Sequence, residues 1–194
     1  SQDTNQTDHI DDWIKILSGE TVSGFRYSSG NNYRKDNDNN LENYHNYIQV
    51  FFPNVEPSGY ANRDLNIKST RAKWKAAFAA DPTLLSKIQR ELRLNLMRIL
   101  NFWKYDVEGN KDHINKITLP KDRKSQTQLG VVNDHNSLRA TRVLHALRLF
   151  ELNEEHQMFL EELNKNFSSD SNLSTAVKFW NDTKNTNSIR SYIN

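Results

Sequence analysis

Apolar residues recur at helical spacing along most of this chain. The clearest run begins at Leu84: Leu84, Ile88, Leu92, Leu96, Ile99 and Trp103 fall on one stripe, and Leu85, Leu100 and Phe102 widen it. So broad an apolar face predicts a central helix. A second face, Leu41, Tyr44, Ile48, Phe51 and Phe52, predicts a helix over 41–52 that must stop before Pro53. Shorter patterns predict a helix over 10–17, with Trp13, Ile14 and Leu17 inward, Asp8 as cap and Gly19 as stop. Another starts near Ser69, carries Trp74 and Phe78, and breaks at Asp81-Pro82, where Asp81 suits the cap of the next helix. "NDHNSLRATRVLHALRLFEL", "NEEHQMFLEELNKNF", "NLSTAVKFWNDTK" and "SIRSYI" supply the rest. Residues 28–40 read as a polar connector, and "NVEPSGYANRD" as an irregular segment in which Pro57 and Gly59 oppose helix. No stretch alternates convincingly and no repeat is found. The expected fold class is all-α: a single compact multi-helix bundle over 9–194, preceded by a flexible arm at 1–8, with a long polar loop near residues 109–134.

Polar positions carry a second pattern. At ~100° per residue, Glu42, His45 and Gln49 occupy a narrow sector beside the apolar face of 41–52. On the helix near residue 140, His135, Arg139 and Arg142 share a sector. Ala140, Val143, Leu144, Leu147 and Phe150 lie to one side of it, and Leu138 and Leu149 to the other. A guanidinium half-removed from water needs partners, or its desolvation costs several kcal/mol. Arginine favours bidentate carboxylates, and Glu42 and Glu56 are the candidates, with Gln49 able to donate and accept. The two rows are therefore expected to meet at a partly buried junction, which either fixes helix register or lines a pocket.

Composition narrows the function classes. The 194 residues fit one domain or at most two small ones. Apolar residues are only 36% and mean hydropathy is −0.85, but four Trp, nine Phe and seven Tyr supply enough buried area for a folded core. The net charge is +2. Its only tight basic cluster is Lys121, Arg123 and Lys124, which makes nucleic acid an unlikely partner. The absence of cysteine excludes thiol catalysis, disulfides and cysteine zinc sites, and suits a reducing compartment. The acidic start "SQDTNQTDHIDD" lacks the character of a secretory signal. No apolar run approaches the ~20 residues of a transmembrane helix, although peripheral membrane contact stays open. An intracellular protein is expected. The histidines show no metal-ligand spacing, the glycines form no phosphate cradle, and G-x-S-x-G is absent, so no metal, cofactor or catalytic residue is assigned. His45 one turn from Glu42 is the sole arrangement resembling an oriented general base.

Two blocks resemble a known family. "LENYHNYIQVFFPNVEPS" is similar to the signature of the opioid growth factor receptor conserved region, L-E-x-x-H-x-Y-I-Q-W-L-F-P-x-x-E-P. It matches at Leu41, Glu42, His45, Tyr47, Ile48, Gln49, Phe52, Pro53, Glu56 and Pro57. "HNSLRATRVLHAL" resembles the family's H-N-x-L-R-I-T-R-I-L-x-x-L at His135, Asn136, Leu138, Arg139, Thr141, Arg142, Val143, Leu144 and Leu147, and "RILNFWKY" between them fits R-M-L-x-F-Y-G. The similarity runs from 41 to 163. Val50 stands where the family has Trp, Phe51 where it has Leu, and "DLNIKS" where it has Pro-Leu-Thr. The resemblance implies a helical domain found in animal proteins that bind an opioid peptide and restrain proliferation, at the nucleus and its envelope, with bacterial and fungal relatives. It implies a non-enzymatic interaction or regulatory module, cytoplasmic or nuclear, that binds a peptide or protein segment at the polar seam. The candidate residues are Glu42, His45, Gln49, Glu56, His135, Asn136, Arg139 and Arg142. The alternatives are an enzyme using the same pocket, with His45 or His135 as acid–base, and weak nucleic-acid binding through Lys121–Lys124 and the Arg-rich helices.

Overall fold

In the computed structural model, which describes residues 10–23, 30–45, 47–55 and 66–194, the stripe beginning at Leu84 forms the longest described helix, Leu84–Phe102. Ten α-helices are present among the described residues: α1 Ile10–Leu17, α2 Gly30–Arg34, α3 Asp38–Asn43, α4 Ile48–Phe51, α5 Arg71–Ala80, α6 Leu84–Phe102, α7 His135–Leu149, α8 Asn153–Phe167, α9 Ser174–Asp182 and α10 Ile189–Ile193. The molecule is predominantly helical. One small antiparallel hairpin, β1 Asp106–Gly109 with β2 Ile114–Thr118, stands between α6 and α7.

Helix α6 buries Leu84, Ile88, Leu92, Leu96, Ile99, Leu100 and Phe102, and takes α1, α2, α5 and β1 against it. Helix α7 gathers the second group, packing on α4, α8 and α9. The hairpin joins the groups, with β1 on α6 and β2 on α8, and one continuous apolar core runs through both. Three tryptophans pin it by donating inward: Trp13 Nε1 to Val50 O (3.0 Å), Trp103 Nε1 to Asn136 Oδ1 (3.0 Å) and Trp180 Nε1 to Ser137 O (3.1 Å). Gly19 ends α1 as expected, with φ at +99°, a conformation that a side chain would strain. Asp81 closes α5, and its Oδ1 accepts from Thr83 N (2.9 Å), so it orders the turn into α6 without being the cap residue itself. No described helix is long and apolar enough to cross a membrane.

Three expectations change. The connector read over 28–40 holds α2 and α3. Tyr33 is wholly buried, stacks on Tyr47 and Phe51, and donates to Asn95 O, while Asn37 caps α3 by accepting from Asn40 N (2.8 Å). A single aromatic anchor and a cap outweigh the polar composition. The helix read over 41–52 is broken: α3 closes at Asn43, Tyr44 is extended, and α4 begins at Ile48. The loop read over 109–134 contains β2 and two short 3₁₀ turns, with Ile114, Ile117, Leu119 and Leu129 buried. Its hairpin turns at Asn110, whose Oδ1 accepts from Asp112 N and His113 N. A side chain on Gly109 would stand 2.4 Å from His113 O.

One buried histidine gives the fold a pH response. His156 on α8 is almost fully enclosed, with Nε2 2.7 Å from Thr183 Oγ1. Burial, then Arg148, His145 and Lys184 beside it, push its pKa down to about 4. The unfolded chain binds this proton at a higher pH than the folded one does. Stability is therefore complete above the ordinary histidine pKa and falls as pH drops toward 4. Between pH ~7.5 and pH ~5 the loss from this group is about 2 kcal/mol. Urea unfolding at both pH values should show that much more acid destabilisation in the wild type than in His156→Gln. Equal losses would remove His156 as the cause.

Candidate functional site

The broken helix and the start of α7 meet at Arg139. Asp134 caps α7 by accepting from Asn136 N (2.8 Å), which fixes where the helix begins. Asn136, fully buried, then uses its whole amide. Oδ1 accepts from Trp103 Nε1 (3.0 Å) and Arg139 Nη1 (3.2 Å), and Nδ2 donates to Asp134 Oδ1 (2.9 Å) and Glu42 Oε2 (3.1 Å). Arg139, one turn on and 4% exposed, reaches back into the break. Nη1 donates to Leu41 O (2.8 Å), and Nη2 donates to Tyr44 O (2.8 Å) and Glu42 O (3.3 Å). Its guanidinium carbon lies 5.3 Å from the centroid of the Tyr47 ring. Nη2 also stands 3.4 Å from His45 Nδ1. Arginine only donates, so Nδ1 is the acceptor and the proton of a neutral ring sits on Nε2. Burial, then Arg139 and His135, lower the His45 pKa against the pull of Glu42.

The two polar rows therefore meet, but not through the expected Arg–carboxylate pairing. Because α3 ends at Asn43, its last carbonyls lack intrahelical partners, and the flat guanidinium serves several of them at once. The Glu42 carboxylate turns instead to Asn136 and to His135, whose Nε2 is 3.0 Å from Oε1 but too oblique for a regular hydrogen bond. Gln49 is buried on α4 and makes none of the contacts to Arg139. Glu56 lies outside the described residues. Arg142 meets no acid among them: its Nε and Nη2 are sealed from water without a hydrogen-bond partner, and burial alone lowers its pKa to about 10.

Glu42, Asp134 and His135 bring one ligand atom each to within 4.8 Å of one another, a donor set that the histidine spacing alone had hidden. One feature opposes a bare metal ion there, which would need several free carboxylate lone pairs: Asn136 already donates to both carboxylates. Asp134 escaped the sequence reading, although its place just before "HNSL" marks it as a cap.

Beside this cluster a groove of about 400 Å³ opens between α7 and α9, lined in part by Asp134, His135, Leu138, Thr141, Ala176 and Phe179. Leu138 is 62% exposed and Phe179 50%. Val131 and Val132, just upstream of Asp134, complete the large exposed hydrophobics among the described residues. Apolar side chains gathered in one place mark a contact surface more often than scattered ones do. No family model, curated protein or solved structure matches this chain.

Proposed function

We propose that the protein is a non-enzymatic interaction module that binds a peptide or protein segment along the groove between α7 and α9. The observation that carries this reading is the exposure of Leu138 and Phe179 on a groove that also holds Asp134 and His135, with Glu42 against them. Such a lining fits an amphipathic segment that covers the two apolar side chains and brings a Lys, Arg or terminal ammonium to the carboxylates. In this reading Glu42, Asp134 and His135 face the partner. Asn136, Arg139 and His45 hold them in place, and Gln49 belongs to the core. The resemblance to the opioid growth factor receptor conserved region supports the same class, because four of its matched polar positions, Glu42, His45, Asn136 and Arg139, come together at this junction.

The test is selection of a random-peptide display library on the wild-type protein. Enriched peptides should pair a basic residue with an apolar one. Phe179→Asp should abolish their binding with an unchanged unfolding midpoint. Asp134→Asn, which keeps a competent cap, should weaken binding about fivefold. Enrichment without basic residues, or full binding by folded Phe179→Asp, would refute the assignment.

A further inference from the structure

At the other end of α7 the chemistry reverses. A basin of about 530 Å³ is walled by the last turn of α7, the start of α8 and the segment 186–194, and Arg148, Glu151, Asn153, Thr186, Ser188 and Arg190 line it. Its walls are hydrogen-bonding groups, without the exposed leucine and phenylalanine of the groove described above. Arg190 pairs with Glu151, Nε to Oε2 at 2.9 Å, and the Ser188 hydroxyl donates to the same oxygen (2.9 Å). The one acidic side chain in the lining is thus neutralised within it. Arg148 is left over. Its side chain forms no ion pair or hydrogen bond among the described residues, and its Nε is closed off from water without a partner.

The surroundings add to that excess of positive charge. His145 holds Thr186 at the basin wall, Nδ1 to Oγ1 at 2.6 Å, and lies within reach of the Arg142 charge. His156 senses both Arg148 and Lys184. Both imidazoles have pKa values lowered first by burial and only then by these neighbouring charges. A helix-end arginine is commonly explained by the negative C-terminal dipole. That accounts for a cation in the last turn of α7, but not for an arginine side chain that lines a polar cavity without an ion-pair partner among the described residues.

We propose that this basin binds a small phosphate monoester, with Arg148 meeting the phosphate and the hydroxyl and amide groups of Ser188, Thr186 and Asn153 meeting the hydroxylated remainder. The cavity is larger than an inorganic phosphate needs, and its hydroxyl and amide lining suits a sugar-like body over a hydrocarbon one. Unpaired arginine is the side chain best matched to the oxyanion.

The experiment is calorimetric titration of the full chain with ribose 5-phosphate, inorganic phosphate and ribose. Ribose 5-phosphate should bind more tightly than phosphate, and ribose not measurably. Arg148→Met should weaken ribose 5-phosphate by about tenfold or more while keeping its helical circular dichroism, and Arg148→Lys should recover part of the loss. Phe179→Asp, on α9 beside the opposite end of α7, should bind ribose 5-phosphate like the wild type, so this site and the peptide groove fail or stand separately. Wild-type affinity in folded Arg148→Met would overturn the proposal, as would binding of a phosphoserine peptide with none of the sugar phosphate.

Discussion

Arg139→Met should lower the unfolding free energy by about 3–5 kcal/mol, measured by urea denaturation. The guanidinium donates to the carbonyls of Leu41 and Tyr44 at 2.8 Å each, and more weakly to that of Glu42. Methionine fills much of the space but donates nothing, so buried carbonyls at the end of α3 lose their partners. Each such charge-assisted bond is worth about 1.5–3 kcal/mol, and their sum is less than additive because they share one group. Arg139→Lys should recover only part of the loss, since a point-like ammonium cannot span both carbonyls. Amide hydrogen exchange at 41–44 should accelerate with the loss. A cost below about 1 kcal/mol would show that the break in the helix holds without Arg139.

The same substitution three positions on should have the opposite sign. Arg142→Met should raise stability by about 1–3 kcal/mol in the same assay. Its Nε and Nη2 are enclosed without partners, and burial is the sole cause that lowers its pKa to about 10. That displacement corresponds to about 3 kcal/mol of disfavoured charge, from which the loss of any solvent contact made by the rest of the head group must be subtracted. A methionine follows the same stem without a charge. A less stable variant would mean that a partner for the guanidinium exists after all.

The long helices were legible because each repeats its apolar positions over several turns. Leu84 to Trp103 needs no tertiary context to be recognised, and the stretches that become α7 and α8 need little more. The short elements were not legible. Helix α2 rests on Tyr33 against Tyr47, Phe51 and Asn95, contacts between distant positions that no local window contains. The hairpin offers too few apolar positions to alternate, and its turn depends on Asn110 and Gly109. The site was half legible. Arg139, set among apolar residues, does meet the polar end of α3, whereas Arg142 in the same row does not join it. A wheel drawn through 41–52 as one helix concealed the end of α3, and with it the carbonyls that replace a carboxylate as the partners of Arg139. That Leu138 and Phe179 stay uncovered depends on how α9 lies across α7, which periodicity does not specify.

The clamp at Arg139 also bears on the order in which the chain assembles. Leu41 and Arg139 are 98 positions apart, and Tyr44 and Arg139 are 95 apart. On the ribosome, the first hundred residues emerge without the side chain that holds the end of α3. Helix α6 can form from local contacts, whereas the backbone at 41–44 reaches its final path only after α7 has been synthesised and docked. The early part of the sequence is thus among the last to be completed, and the delay follows from placing one arginine in the second half of the chain.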